Sequence, residues 1–311
     1  MEKNSIRKIA LIGFGEVGGI FGYDFADTGF SVCVYDILLN SEASRATTLG
    51  KAERWRVRAC DTLEAAIVDA DLVISAVTAS SASSVAVQAA TFLRLGQIYL
   101  DINSVSPETK REIAGALVAS GATFIEAAVM APVAPRRIKT PMLLGGPNAV
   151  AIAPRLHGIG MDATPVSDRV GVASAIKMCR SIIIKGLEAI TVESMFTARR
   201  YGAEKLVLES LAATYPGMGW DAALPDYLVS RVAEHGKRRA AEMREAAQAV
   251  VDAGLEPLTA LATSRRQEWL AQVIAEQGIA VPQGENFKWD KLADAIAEAS
   301  LSTKKSIASK S

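Results

Sequence analysis

One segment near the start of the chain constrains its fold more than any other. An apolar run at residues 9–12 leads directly into the pattern Gly13-x-Gly15-x-x-Gly18, and a helical pattern follows. In such a unit the first glycine permits a tight turn, the second lets a pyrophosphate approach the backbone, and the third lets the helix pack closely against the strand. The helix N-terminus then offers unpaired N–H groups to the phosphates. The segment therefore predicts a strand–turn–helix unit that binds a dinucleotide.

A carboxylate completes this pattern. The next β-rich run, residues 31–35, ends in Asp36, which follows Gly18 at close to the roughly 20 residues expected for the group that binds the adenosine ribose. A carboxylate favours NAD because it would repel the 2′-phosphate of NADP, although NADP stays an alternative. A βαβ unit without a ligand is the plainer interpretation. The residues predicted to bind the cofactor are Gly13, Phe14, Gly15, Glu16, Val17, Gly18, Asp36, Val77 and Thr78.

The composition is that of an ordinary globular protein of about two domains. The chain has 311 residues, of which 50% are hydrophobic and 22% charged. Lysine and arginine together number 34, as do aspartate and glutamate, so the formal net charge is zero. This balance gives no reason to expect nucleic acid as a partner.

The sequence gives no indication of a metal site or a membrane segment. Cys33, Cys60 and Cys179 are widely spaced, and neither His157 nor His235 has a partner at metal-ligand spacing. No run approaches the ~20 apolar residues of a membrane span, and the charged N-terminus is unlike a signal peptide. We therefore expect a cytoplasmic protein with reduced cysteines.

Short apolar runs alternate with helical patterns through the first half of the chain. This alternation predicts a parallel sheet covered by helices on both faces, with ligands at the carboxyl ends of the strands. The predicted strands cover residues 9–12, 31–35, 56–59, 72–76, 98–101, 123–126 and 142–144, and the helices between them include residues 62–69, 83–93, 107–120 and 148–157.

The pattern changes near residue 165, and from residue 171 onward no strand is expected. Helices are predicted at about residues 171–201, 203–213, 225–251, 258–275 and 287–299. The predicted fold is therefore α/β followed by all-α, with a long helix linking the two parts. Its domains are a Rossmann domain over residues 1–165, an all-helical domain for substrate binding or dimerisation over residues 166–301, and a flexible tail over residues 302–311.

Three further segments place polar or reactive groups at the ends of predicted elements. The first is Asp101-Ile-Asn-Ser-Val-Ser-Pro107, the second joins residues 128–132 to residues 142–146, and the third is Gly171-Val-Ala-Ser-Ala-Ile-Lys177. Together with the glycine-rich segment, they resemble the β-hydroxyacid dehydrogenases, which include 6-phosphogluconate and 3-hydroxyisobutyrate dehydrogenases. The resemblance covers most of residues 8–200, and the last helices look like a less-studied branch of that superfamily.

The first segment is similar to the substrate loop of the family, D-x-S-S-x-x-P. Ser104 matches the second serine and Asn103 replaces the first, and both side chains can hydrogen-bond a carboxylate or a hydroxyl. The resemblance implies that Asn103 and Ser104 bind the substrate. Capping of the following helix by these polar side chains is the alternative.

The second segment departs from the family pattern. Met130, Ala131 and Pro132 stand where the family usually has a serine and two glycines. Those glycines expose N–H groups to a substrate carboxylate, whereas Pro132 has no N–H at all. We expect Met130 to contact the substrate, and a bulkier or less polar substrate becomes plausible.

The third segment is similar to the family motif that ends in a catalytic lysine on the interdomain helix. Oxidation of an alcohol by hydride transfer needs a base for the hydroxyl proton, and an ammonium group then polarises the new carbonyl. A partly desolvated lysine can do both, and Ile176 and Met178 flank Lys177. The resemblance therefore implies that Lys177 is catalytic. An ordinary helical lysine reaching solvent is the alternative.

Arg180 and Ser181 follow where the family commonly has asparagine or histidine and asparagine. On a helix they lie about 60° and 40° from Lys177 around the axis, so all three share a face. We expect Arg180 and Ser181 to contact the substrate, with Arg180 binding an anionic group bidentately. An ion pair at the surface or at an interface is the alternative for Arg180.

These observations predict an NAD(P)-dependent oxidoreductase that acts on a CH–OH group. It would transfer a hydride between the nicotinamide and a small, anionic β-hydroxy acid or its keto form, with Lys177 as general base or acid and without a metal. The alternatives are an imine or carbonyl reductase on the same fold, and a dinucleotide-binding protein without catalysis. The resemblance also implies a homodimer.

Overall fold

The computed structural model describes the backbone of residues 6–308 and the side chains of residues 6–299. The chain divides into two compact units, Met1–Lys177 and Met178–Ser311, which we call the sheet unit and the helical unit. The division falls later than the predicted domain boundary after residue 165, since the last strand of the sheet and the first turns of the long helix belong to the sheet unit.

Eight strands form one sheet within the part of the chain that the structure describes, in the order β3-β2-β1-β4-β5-β6-β7-β8. Every pair except β6 and β7 is parallel. The order reverses at β1 and β4, so this is a doubly wound sheet with its ligand crevice expected at their carboxyl ends. The strands are β1 Lys8–Ile12, β2 Ser31–Tyr35, β3 Arg58–Ala59, β4 Leu72–Ser75, β5 Ile98–Asp101, β6 Thr123–Val129, β7 Met142–Gly145 and β8 Ala163–Ser167.

Two features of the sheet correct the sequence prediction. β7 runs antiparallel to β6, so the sheet is mixed rather than wholly parallel. β8 was not predicted, because Pro165 has no N–H to donate to a neighbouring strand, and proline is therefore unusual inside a strand. Proline is tolerated at the edge of a sheet, and β8 is the edge strand next to β7.

Helices cover both faces of the sheet. Alternate residues of β1 enter different cores: Ile9 and Leu11 belong to one cluster of buried side chains, and Ala10 and Ile12 belong to the other. This explains why the central strands read as continuous apolar runs. The helices of the sheet unit are α1 Glu16–Asp27, α2 Glu42–Arg54, α3 Leu63–Ile67, α4 Ala82–Ala90, α5 Pro107–Leu117, α6 Val133–Arg136 and α7 Ala149–His157.

The long helix α8, Val172–Arg200, crosses the division between the units, and the rest of the helical unit follows it. Its core combines Val192 of α8, Val232 of α10, Leu270 of α11 and Leu292 of α12. A Cβ on Gly236 of α10 would lie only 2.5 Å from the carbonyl oxygen of Gln267, so a glycine is required for the close approach of α10 and α11. The remaining helices are α9 Glu204–Thr214, α10 Leu224–Asp252, α11 Leu258–Glu276 and α12 Trp289–Ala308.

The structure continues α12 to Ala308, into the segment 302–311 for which the sequence predicted a flexible tail. Residues 309–311 lie outside the described residues, and flexibility there stays a prediction. Within the described part of the chain, no helix is both long and apolar enough to span a membrane.

Candidate functional site

The glycine-rich loop joins the carboxyl end of β1 to the N-terminus of α1. Gly13 has φ +93°, and a Cβ there would lie 2.4 Å from the carbonyl oxygen of Ala76. A Cβ on Gly18 would lie 2.0 Å from the carbonyl oxygen of Gly13, whereas a Cβ on Gly15 would meet nothing within 4 Å. Gly15 is also the N-cap of α1, which receives no side-chain cap. The loop therefore has one open glycine beside free N–H groups, as a pyrophosphate requires.

Asp36 connects the end of β2 to this loop. Its carboxylate accepts hydrogen bonds from the N–H of Phe14 at 2.6 Å and from the N–H of Leu38 at 3.0 Å. An ionised carboxylate has about four acceptor positions, so two remain for ribose hydroxyls. These residues fit a dinucleotide, and a ribose contact by Asp36 stays a prediction.

Lys51, on α2, hydrogen-bonds carbonyl groups of the same loop. The sequence did not predict this contact. The ammonium group of Lys51 donates to the carbonyl of Phe14 and, at 2.9 Å, to the carbonyl of Gly15. It also lies 4.3 Å from the centre of the Phe14 ring and 5.4 Å from that of Trp55. Burial lowers the pKa of Lys51 from its usual range. Lys51 thus fixes carbonyls of the loop and places a positive charge next to it.

Asn103 lies between the ends of β4 and β5. Its side-chain oxygen accepts the N–H of Val77 at 2.7 Å, and its amide nitrogen donates to Ser75 Oγ at 2.9 Å. Asn103 is buried, whereas Ser104 beside it is half-buried. The hydroxyl of Thr78 hydrogen-bonds nearby serine hydroxyls. The amide of Asn103 is committed to backbone and side-chain partners in the protein, so it positions the two loops. Direct binding of substrate by Asn103 and Ser104 stays a prediction.

A fully buried ion pair holds the loop after β5 between the end of that strand and α5. Lys110 of α5 lies 3.1 Å from Asp101 Oδ1 and donates to the carbonyl of Asp101 at 2.8 Å. The N–H of Asn103 donates to the same carboxylate oxygen at 2.9 Å. The pair therefore joins α5, the end of β5 and the loop that carries the candidate substrate residues.

The loop after β6 is anchored at both ends. The N–H of Met130 donates to the carbonyl of Pro141 at 2.9 Å, while Pro132 is exposed where α6 begins. Arg137, at φ +56°, pairs with Asp24 of α1 through Nε at 2.7 Å. The loop is thus tied to the helix that begins at the glycine-rich loop. A contact between Met130 and substrate stays a prediction.

A buried carboxylate caps the N-terminus of α8. Glu126 of β6 has no exposed surface, and it accepts hydrogen bonds from the N–H groups of Gly171 and Ala173, each at 2.8 Å. Ser174 Oγ lies 3.5 Å away. A Cβ on Gly145 would lie 2.3 Å from Glu126 Oε1, so that glycine makes room for the carboxylate. A negative charge at this end of a helix is electrostatically favourable, and it fixes the turns that lead to Lys177.

The three remaining predicted residues follow on α8. Lys177 is half-buried, Arg180 is exposed and Ser181 is buried. The Nζ of Lys185 lies 3.4 Å from Ser181 Oγ. The division between the units falls directly after Lys177. Catalysis by Lys177 and substrate binding by Arg180 and Ser181 stay predictions.

The helical unit contains its own buried charges. Glu188 of α8 pairs with Arg239 of α10 at 2.9 Å and accepts from Gln267 Nε2 at 3.2 Å. Lys185 pairs with Glu242 at 2.5 Å. Burial raises the pKa of Glu188 and lowers the pKa values of Lys185 and Arg239, while the opposite charges act against these shifts. These side chains connect helices to one another.

Some of the charged residues that received no role from the sequence could have been recognised from its pattern, and others could not. Glu126 and Asp101 interrupt apolar runs in predicted strands, and a charge inside a buried strand indicates a buried partner. Lys51 and Lys110 occur on polar helices, where lysine is ordinary. No sequence signal separates them from surface lysines.

Comparisons with known proteins find matches to both parts of the chain. A family model described as the NAD binding domain of 6-phosphogluconate dehydrogenase matches residues 8–160, and a domain of unknown function matches residues 198–270. A conserved hypothetical protein from Sinorhizobium meliloti 1021 has a solved structure that is 34% identical, with a TM-score of 0.78 and coverage of 96% of this chain and 98% of that one.

Two proteins of named activity are more distant. The 3-hydroxyisobutyrate dehydrogenase of Pseudomonas aeruginosa is 26% identical over 68% of this chain and 71% of its own length. The structure of a Mycobacterium tuberculosis 3-hydroxyisobutyrate dehydrogenase with L-serine shares the fold, with a TM-score of 0.68, 15% identity and coverage of 94% and 99%. The chain belongs to the 6-phosphogluconate dehydrogenase-like superfamily, and its first domain is an NAD-binding domain.

Proposed function

We propose that this protein is an NAD(P)-dependent dehydrogenase of a small, anionic β-hydroxy acid, or a reductase of the matching keto acid. When bound, the cofactor accepts or supplies the hydride. The observation that carries the proposal is the cap of Glu126 on the N–H groups of Gly171 and Ala173, less than two helical turns before Lys177. The same sheet unit carries the glycine-rich loop and the Ser104 loop at the carboxyl ends of its strands.

In this proposal each residue has a limited task. The N–H groups after Gly15 bind the pyrophosphate, and Asp36 accepts hydrogen bonds from the ribose. Ser104 orients the substrate, and Lys177 takes the hydroxyl proton in oxidation or returns it to the carbonyl oxygen in reduction. Arg180, three residues later on α8, binds the anionic group of the substrate.

The main test replaces Lys177. We expect Lys177→Ala to lower kcat about 10²- to 10⁴-fold on 3-hydroxy acids, since a positioned acid–base group contributes about this much. The measurement is reduction of NAD⁺ and NADP⁺ against a panel of 3-hydroxy acids, with NADH affinity followed by fluorescence. Affinity for NADH should be unchanged in Lys177→Ala and lost in Gly18→Ala, with Gly115→Ala, an open helical glycine, as the control.

Retained turnover in Lys177→Ala would contradict the catalytic role. Tight NADH binding without any turnover by the parent protein would favour a dinucleotide-binding protein without catalysis.

One observation favours a second enzymatic candidate, an imine or carbonyl reductase: Pro132 lacks the N–H that would bind a substrate carboxylate. Oxidation of NADPH or NADH by ketones with amines, but not by keto acids, would support that candidate.

We also propose that the protein forms a homodimer through α8. Ile176, Ile183 and Ile190 recur every seven residues and are 39%, 73% and 61% exposed. This spacing places them on one stripe of the helix, as in helices that pack side by side. We expect Ile183→Lys to shift the molecular mass measured by light scattering toward that of one chain. Unchanged mass in this variant would contradict a dimer built on this stripe.

A further inference from the structure

Two cysteines meet at the outer edge of the sheet, away from the glycine-rich loop in sequence. Cys33 lies in β2, and its register partner in β3 is Arg58. Cys60 follows β3 directly, and its N–H donates to the carbonyl of Val34 at 2.9 Å. Because side chains alternate along a strand, Cys33, Arg58 and Cys60 point to the same face. The two cysteine side chains are therefore neighbours across the β2–β3 pair, and Cys60 Sγ itself lies 3.7 Å from the carbonyl oxygen of Ala65.

Arg58 makes the Cys33 sulfur an unusual acceptor. Its guanidinium group reaches Cys33 Sγ with two nitrogens, Nη2 at 2.9 Å and Nε at 3.3 Å. Hydrogen bonds from a cation stabilise a thiolate over a thiol. The Cys33 side chain is half-buried, so it is accessible to a small reagent, whereas Cys60 is buried behind it.

The charges around the pair assign different protonation to the two sulfurs. The neighbouring Cys60 thiol, followed by the hydrogen bonds from Arg58, lowers the pKa of Cys33 to about 6, against opposing effects of burial and of the Asp69 carboxylate. The neighbouring Cys33 sulfur and burial raise the pKa of Cys60. Both effects favour Cys33, rather than Cys60, as the thiolate of the pair.

We propose that Cys33 and Cys60 are a peroxide-reactive thiol pair, with Cys33 as the nucleophile, Cys60 as the resolving thiol and a small hydroperoxide as the oxidant. The Cys33 thiolate attacks one peroxide oxygen, the O–O bond breaks, and the departing oxygen takes a proton to leave as water or an alcohol. Cys60 then loses its proton and attacks the Cys33 sulfur, the S–O bond breaks, and water leaves. Two thiols and one peroxide thus yield one disulfide.

Cys179 provides an internal comparison for this proposal. It is exposed on α8, so a peroxide reaches it at least as easily as Cys33. If access alone decided reactivity, Cys179 would oxidise first. If the contacts of Arg58 and Cys60 decide it, Cys33 reacts first.

The first experiment uses the reduced full-length protein and one equivalent of hydrogen peroxide at neutral pH. Remaining thiols are alkylated, and the digested protein is mapped by mass spectrometry. We expect a peptide linked through Cys33 and Cys60, with Cys179 still alkylated. Oxidation that favours Cys179, or leaves both members of the pair alkylated, would overturn the proposal.

Variants then separate the roles. In Cys60→Ser, the Cys33 sulfenic acid should persist and be trapped by dimedone, and in Cys33→Ser no trapping should occur at Cys60. Arg58→Gln should slow oxidation of Cys33 by about tenfold, whereas Arg56→Gln, a neighbouring exposed arginine, should not. Equal rates in these two arginine variants would refute the role of Arg58. None of these measurements requires turnover, so they stand or fall independently of the proposed dehydrogenase.

Discussion

The two units of this protein use buried charge in different ways. In the sheet unit, Glu126 bonds to N–H groups of α8, and Lys110 bonds to the carbonyl of Asp101 as well as to its carboxylate. In the helical unit, Glu188 and Arg239 bond mainly to each other across two helices. The first arrangement fixes loops and helix ends at the ligand side of the sheet, and the second fixes how helices pack.

The difference shows where each kind of structure needs polar groups. A parallel sheet ends in loops and helix N-termini whose backbone groups are unpaired, so a buried charge there finds donors or acceptors in the backbone. Helices satisfy their own backbone, so a charge buried between them must find another side chain. Removing a charge should therefore affect loops in one unit and helix packing in the other.

The largest expected effect belongs to Arg239→Met in the helical unit. It leaves the buried carboxylate of Glu188 without its cation, and breaking such a pair costs about 3–5 kcal/mol. We expect this loss in urea unfolding, with NADH affinity unchanged. The control is Arg238→Met, since Arg238 is 62% exposed and pairs only weakly at 3.5 Å. Similar stability of the two variants would contradict the assignment.

Lys110→Met makes the equivalent change in the sheet unit. Asp101 keeps the N–H of Asn103 as a donor, so we expect a loss of about 3 kcal/mol, at the low end for a broken buried pair. The loop it supports should also loosen and raise KM for substrate. Lys8→Met, at a surface pair of 3.9 Å, is the control. A change in stability without any change in KM would show that the Lys110–Asp101 pair does not support the substrate loop.

The smallest of these effects is expected for Glu126→Gln. Glutamine keeps one acceptor oxygen but turns an NH₂ group toward one of the N–H groups of Gly171 and Ala173, at a cost of about 1–3 kcal/mol. Because the cap fixes the turns before Lys177, kcat should fall while NADH affinity holds. Glu112→Gln, an exposed position on α5, is the control, and equal kcat in both variants would show that the cap does not position Lys177.

Much of the sheet unit was predictable from its sequence. The glycine pattern and the alternating apolar runs predicted strands β1, β2, β4 and β5 close to their observed bounds. The helical character after residue 171 was also predictable, since apolar residues repeat there with helical period. The edge strand β8 was not predictable, because Pro165 breaks the pattern typical of a strand and because β8 is defined by its pairing with β7.

The charged contacts at the candidate site were less predictable than the loops they support. Asp36 was found because the dinucleotide pattern states where a carboxylate belongs. Lys51 lies far from Phe14 in sequence, and nothing near it in the chain indicates the contact. The resemblance implied a catalytic role for Lys177, but it said nothing of the carboxylate that caps its helix.

The sequence by itself therefore determined most of the order of elements and the glycine-rich loop, since both depend on neighbours a few residues apart: glycine for a turn, apolar alternation for a strand. Only the tertiary structure decided which charges support that loop and the start of α8. Glu126, Lys51 and Lys110 reach backbone groups on other elements, and such contacts exist only once the sheet brings those elements together. A buried charge is stabilised by the partner that the fold supplies, and the local sequence does not name that partner.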